Sequence, residues 1–349
     1  MLLSSYRLGN LTLPNRLVMA PMTRARAVDG KPTEATATYY AQRATAGLIV
    51  TEGVHPNAVG QAGPFMPGVH TDDQVAAWRV VTDAVHANGG RIFAQLMHGG
   101  RIGHVEVAGH QPVGPSAIAA DAQVFTPAGM KPAPVPRALP AAEVADQVQA
   151  FGDAARKAVD AGFDGVELHG ANGYLIQQFL SSSANERTDG YGGSISGRIR
   201  FAVEAVEAAA DAIGADRVGI RLSPGGEIQG IVEENVPVLY GELLKALPDI
   251  AYIHVLATVD DEALMELRKA WPTAFILNPG GQIGPVESTQ EQGERWLANG
   301  ADLISYGRAY IGNPDLVERF RLGLPLAASD QETWFQTPHG YVDYPAHQH

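Results

Sequence analysis

The 349-residue chain contains no cysteine. Disulfides, thiolate metal sites, iron–sulfur clusters and cysteine nucleophiles are therefore excluded. No apolar run approaches the ~20 residues of a membrane helix. Met1 to Asn10 carries no apolar core of a secretory signal. A cytoplasmic protein without a membrane partner is expected. Positive charge is scarce, with 25 Lys+Arg against 38 Asp+Glu and a net charge of −13. That balance argues against a general nucleic-acid or membrane-surface binder, and leaves room for a local basic pocket around one phosphate. No G-x-G-x-x-G opens a helix after an early strand, which argues against a doubly wound sheet.

What is present is alternation. Eight short apolar or β-branched runs stand out: Leu17–Met22, Leu48–Gly53, Arg91–Leu96, Gly165–His169, Arg217–Leu222, Tyr252–Ala257, Ala274–Pro279 and Leu303–Arg308. Segments of helical period lie between most of them, among them Thr71–Ala87, Ala141–Ala161, Ser194–Ile213 and Pro285–Asn299. The pattern predicts an α/β fold, a single (β/α)8 TIM barrel over residues 1–349. The connection between Leu96 and Ala141 is too long for an ordinary loop and is rich in proline. It predicts a lid excursion after strand three, approximately 104–139, in which Val124-Phe125 could form a small hairpin.

In a barrel, chemistry gathers at the C-terminal ends of the strands. Strands seven and eight end in Gly280-Gly281 and Gly307-Arg308. Glycine lets backbone N–H groups approach, and arginine offers a fork of donors, so a phosphate site is one reading and plain chain turning the other. Gln95 and Arg221 end strands three and five, and a buried arginine needs an acceptor or an anion. After strand four come His169, Asn172 and Tyr174, three hydrogen-bonding groups within six residues. Together they offer donors for a carbonyl and a source of a proton. A phosphate clamp beside polar groups for a flat ring suggests flavin mononucleotide (FMN) or pyridoxal phosphate. The latter needs a Schiff-base lysine, and no lysine ends any of the eight strands, so flavin is preferred.

The motifs are Asn15-Arg-Leu-Val-Met-Ala-Pro-Met-Thr-Arg24, Thr51-Glu-Gly53, Gln95-Leu-Met-His98, His169-Gly-Ala-Asn-Gly-Tyr-Leu175, Arg187-Thr-Asp-Gly-Tyr-Gly-Gly193, Arg221-Leu-Ser-Pro224, Gly307-Arg308 with Asn313-Pro-Asp-Leu316, and Gly340-Tyr-Val-Asp-Tyr-Pro345. In this order and spacing the chain resembles the Old Yellow Enzyme family of FMN-dependent ene-reductases, from about residue 2 to 345. The resemblance implies a TIM barrel with tightly bound FMN and NAD(P)H as reductant, NADPH favoured. It implies that Pro21, Met22, Thr23 and Gly53 line the flavin and that Gln95 pairs with its pyrimidine edge. Arg221 would face N1 and O2, and Gly280, Gly281, Gly307 and Arg308 would hold the phosphate. His169 and Asn172 would bind the oxygen of an α,β-unsaturated carbonyl or nitroalkene, and Tyr174 would deliver the proton. Nitro compounds and nitrate esters are further candidate substrates, and a monomer or homodimer is expected.

Met97 stands where members of the family often carry tryptophan, and Phe335 where many carry tyrosine. Both would alter the wall a substrate leans on. Thr23 places the chain with the threonine-type branch. Two other readings remain. His98, His169 and His254 lie near strand ends and could be ligands of a metal-dependent hydrolase, although strand one has no His-x-His. A non-catalytic flavin or steroid binder on the same fold is the third.

Overall fold

Eight strands whose residues are buried along their whole length form a closed parallel barrel. The computed structural model describes residues 1–280 and 288–347. The barrel strands are β1 (Leu17–Met19), β2 (Leu48–Val54), β3 (Ile92–Leu96), β4 (Gly165–Gly170), β5 (Val218–Leu222), β6 (Tyr252–Leu256), β7 (Ala274–Asn278) and β8 (Leu303–Tyr306). Each pairs with its neighbour in chain order, and β8 closes on β1. The ring is the (β/α)8 barrel that the alternation predicts. Strands one and eight stop short of the predicted ends, and the Ala20 N–H still donates to the Tyr306 carbonyl at 3.0 Å. Beyond it Pro21 has no N–H to offer a ladder.

A helix follows each strand: α1 (Glu34–Ala41), α2 (Asp72–Ala87), α3 (Ala141–Asp160), α4 (Ile195–Ile213), α5 (Val236–Ala246), α6 (Asp261–Ala270), α7 (Gln290–Ala298) and α8 (Leu316–Leu322). Their starts are written in the sequence. Thr71, Ser194, Asp260 and Thr289 each accept a backbone N–H from the first turn, the N-cap arrangement that satisfies an orphan donor. The predicted start of α7 at Pro285 lies outside the described residues. Helices α3 and α4 pack against each other, and each buries several small residues, among them Gly152, Ala154, Ala155 and Ala158 on α3 and Ala202, Ala205 and Ala209 on α4. A Cβ on Gly152 would sit 2.9 Å from the Ala208 carbonyl oxygen.

The N-terminal end of the barrel is sealed. A hairpin of Tyr6–Leu8 and Leu11–Leu13 sends Leu8 and Leu13 into a cluster with Val18, Leu48, Val50, Phe93, Tyr252, Ile276 and Leu303. Burying one such side chain stabilises by roughly 1.5–3 kcal/mol, so this end is a stability plug. The other end stays open to the long loops. The excursion after β3 contains a short helix (Val105–Ala108) and a hairpin pairing Gln123–Thr126 with Gly129–Pro132, where Phe125 faces Met130. Its inner face, Ile102, Ala120, Val124 and Ala133, packs with Tyr174. The lid thus rests on a residue singled out for chemistry.

Register decides which side chains meet inside the ring. Glu167 lies beside Gln95, His169 beside Arg221, and Arg221 beside His254. Between β2 and β3 the register shifts between Val50 and Gly53.

Candidate active site

The loop after β4 is shaped by backbone sterics. Asn172 has φ +57° and Gly173 has φ +80°, so the chain reverses through two left-handed residues. Any side chain at 173 would meet the Ile228 carbonyl at 2.8 Å. The loop is then tied down by two fully buried glutamines from the short helix Leu175–Leu180. Gln177 accepts from the Gly173 N–H at 2.8 Å. Gln178 donates to the carbonyls of Gly99 and Gly173 and accepts from the Arg101 N–H at 3.0 Å. The Asn172 N–H donates to Ser223 Oγ at 3.1 Å, fastening the loop to β5. Gln177 and Gln178 are therefore braces. They hold the His169 and Tyr174 rings 5.0 Å apart.

His169, Asn172 and Tyr174 open onto a cavity of about 500 Å³ at the C-terminal end of the barrel. The structure brings most of the predicted residues to it. Pro21, Met22 and Thr23 line it from the end of β1, Gln95 and Met97 from β3, and Arg221 from β5. Gly280, Gly307 and Arg308 line it from β7 and β8, and Phe335 from the C-terminal segment. Gly53 does not reach the wall. It is set back behind Met97, whose sulfur would lie 2.6 Å from any Cβ there. Gly281 lies outside the described residues. Trp334 of the same C-terminal segment as Phe335 also lines the cavity, and sequence reasoning missed Gln229, Asn278 and Ser288 on the same wall. Asn278 could have been found, because it ends a barrel strand. Gln229 sits in an irregular loop at φ +62° and gave no periodic signal.

The electrostatics are one-sided. Arg221 and Arg308 are the charged residues among the described lining residues, and no carboxylate joins them. Burial pulls the Arg221 guanidinium down to about 10, which leaves it a cation at neutral pH. Burial, then the nearby Arg221 cation and His254, hold the His169 imidazole well below its usual value, so it is neutral. Burial pushes the Tyr174 phenol up, so it keeps its proton. Among the described residues, four buried polar atoms on this wall lack a partner: His169 Nδ1, Asn172 Oδ1, Arg221 Nε and Gln229 Oε1. An unsatisfied buried group costs about 1–3 kcal/mol, so these atoms mark where a polar guest is needed.

Several motif residues prove to be clasps. Arg24 donates to the Trp334 and Gly340 carbonyls and lies over the Tyr39 and Tyr341 rings, fixing the C-terminal segment over the cavity. Arg187 donates to the Pro115 and Leu139 carbonyls at the base of the lid. Asn313 holds Ala327 through both its amide atoms. Two of the three histidines of the metal reading are occupied otherwise. His98 bonds Gln147 at 3.1 Å and accepts from the Gly100 N–H, and His254 is held by Glu167 and Ser305.

Comparison with known proteins places this geometry. The model of the NADH:flavin oxidoreductase / NADH oxidase family matches residues 2–327. A putative 12-oxophytodienoate reductase 3 from Oryza sativa subsp. japonica is 40% identical, covering 99% of this chain and 92% of that protein. The old yellow enzyme homologue from Zymomonas mobilis superposes with a TM-score of 0.92 at 43% identity, covering 99% of each chain. Morphinone reductase in complex with tetrahydroNAD superposes with a TM-score of 0.92 at 39% identity, covering 99% of this chain and 98% of that one. A cavity whose charged described lining is cationic at the mouth of a parallel barrel, and relatives over nearly its whole length, make this chain a member of the NADH:flavin oxidoreductase / NADH oxidase family, within it of the Old Yellow Enzyme proteins, and an FMN-dependent oxidoreductase.

Proposed function

We propose that the chain is an NAD(P)H-dependent ene-reductase, using NADPH in preference to NADH, that reduces α,β-unsaturated carbonyls and nitroalkenes. The observation that carries this is one cavity whose described lining holds Arg221 and Arg308 and no carboxylate, faced by neutral His169, Asn172 and a protonated Tyr174. The residues fit FMN. Arg221 supplies a fixed cation with an unpartnered Nε for the electron-rich edge of a reduced ring. Gly280, Gly307 and Arg308, with Gly281 next to them in sequence, would hold the phosphate. Bound there, FMN would supply the hydride chemistry that links the reduced nicotinamide to the substrate's β-carbon.

The chain's own residues do the rest. His169 and Asn172 donate to the substrate oxygen and draw charge onto it, which makes the β-carbon electrophilic. A neutral imidazole serves here because it donates without carrying a full charge. Tyr174 holds its proton at neutral pH and releases it to the α-carbon. Relatives named for reducing 12-oxophytodienoate and morphinone, both ketones, support a carbonyl-bearing substrate.

The purified protein is expected to be yellow, to bleach anaerobically with reduced nicotinamide, and to recolour with an enone. Tyr174→Phe is expected to slow the enone half-reaction about a hundredfold in stopped flow while sparing flavin reduction. Equal loss in both half-reactions would remove Tyr174 from the proton-donor role. A yellow protein that never bleaches would make the chain a binder.

A further inference from the structure

A buried polar chain crosses the barrel just beneath the cavity. Its centre is Glu167, two residues before His169 on β4 and therefore turned to the same interior face. The side chain is fully buried. Its Oε1 accepts from Gln95 Nε2 at 2.9 Å. Its Oε2 lies 2.8 Å from His254 Nδ1 and accepts from the Tyr252 hydroxyl at 3.1 Å. His254 Nε2 lies 2.7 Å from Ser305 Oγ, which accepts from Asn278 Nδ2 at 2.9 Å. The chain runs through β3, β4, β6, β8 and β7. In the ring order β3 and β7 stand diametrically opposite, so it spans the barrel.

The donors and acceptors have one consistent arrangement. Glu167 is held below the usual carboxylate range. Burial pushes it up, but His254, Arg221 and Gln95 together outweigh that. A carboxylate only accepts, so His254 carries its hydrogen on Nδ1 and accepts at Nε2 from the Ser305 hydroxyl. At both ends the amide nitrogen is committed inward. Gln95 and Asn278 both line the cavity, so each turns its carbonyl oxygen toward the ligand. The orientation of Gln95 is therefore imposed from below by Glu167. The same carboxylate attracts the Arg221 guanidinium.

We propose that Glu167 is a positioning residue of the flavin site, setting the sense of the Gln95 amide and tempering the Arg221 cation without touching the cofactor. The inference rests on the flavin reading above. Negative charge grows on the ring when it is reduced, and Arg221 favours that charge while Glu167 opposes it. Glu167 thus keeps the bound flavin a stronger reductant than Arg221 alone would leave it. It also keeps Gln95 presenting an acceptor rather than a donor.

The test is the midpoint potential of the bound flavin, read by equilibration with a dye of known potential. Glu167→Gln is expected to shift the potential positive and to release FMN about tenfold more readily, since Gln95 becomes free to turn. Tyr252→Phe removes one donor from the carboxylate and leaves its charge, so the potential is expected to shift negative. A purely structural role would not give shifts of opposite sign. A yellow Glu167→Gln protein with unchanged potential overturns the inference. If that variant does not fold, Tyr252→Phe carries the test, and an unchanged potential there overturns it as well. Colourless wild-type protein that takes up no added FMN overturns the flavin reading and this inference together.

Discussion

Asn172 carries a positive φ of 57°, and its half-buried side chain also faces the cavity with Oδ1 unpartnered. Two demands meet at one residue, and substitutions separate them. Asparagine tolerates the left-handed region, glycine is at ease there, and alanine is strained by about 1 kcal/mol. Asn172→Ala should lower the melting temperature by about 2 °C, and Asn172→Gly should not. Both should reduce kcat/KM for an enone about a hundredfold, because both remove a donor to the developing charge. If Asn172→Gly kept full enone activity, the residue would be only a turn former. At this scale the cluster His169, Asn172, Tyr174 was legible because three polar side chains end a buried strand. Glu167 was not. The sequence shows it inside an apolar run, and only register reveals that it meets Gln95, within electrostatic reach of Arg221. The carboxylate whose charge reaches the buried arginine stands two residues before the histidine under discussion.

At the scale of elements, the lid excursion behaves as a separate piece stapled to the barrel. Arg187 is the staple. Its guanidinium, nearly buried, donates to the carbonyls of Pro115 within the excursion and Leu139 at its C-terminal end and pairs with Asp189. The Glu186 N–H adds a bond to Ser116 Oγ at 2.9 Å. Motif reading finds the segment Arg187–Gly193 without finding its task, because its partners are backbone carbonyls about 50 to 70 residues earlier. Hydrogen bonds to a charged group contribute about 1.5–3 kcal/mol each. Arg187→Ala should therefore speed amide exchange across residues 113–138 by about tenfold or more and raise KM for the enone. FMN should remain bound, since none of its predicted contacts lies in the lid. Exchange that stays at the wild-type rate would mean that the packing of Val124 and Ala133 on Tyr174 holds the lid by itself.

For the whole molecule, the eight-fold alternation was legible because strands buried on both faces read as apolar runs and capped helices announce their starts. Closure was not, since it depends on pairings between residues far apart in sequence. Closure also has a cost that appears in pH dependence. Bringing the ends of β2 and β3 together buries His55 and His98. Burial, with His70 nearby, lowers His55 to about 3, and burial lowers His98 to about 4. Both are neutral in the folded state and take up protons on unfolding below their usual value of about 6.5. The unfolded chain therefore binds more protons between about pH 6.5 and the folded values, and stability rises with pH in that window. It is undiminished above 6.5 and is lost as pH falls toward 4 and then 3. At pH 5 each histidine should withdraw about 2 kcal/mol relative to pH 7.5, before most carboxylates begin to protonate. The urea midpoint should fall accordingly between pH 7.5 and 5 with FMN in excess throughout. His98→Gln keeps polarity and cannot titrate, so it should remove about 2 kcal/mol of that loss and leave the share of His55, His169 and His254 in place. A midpoint as steep in the variant as in the wild type would move the proton uptake away from His98.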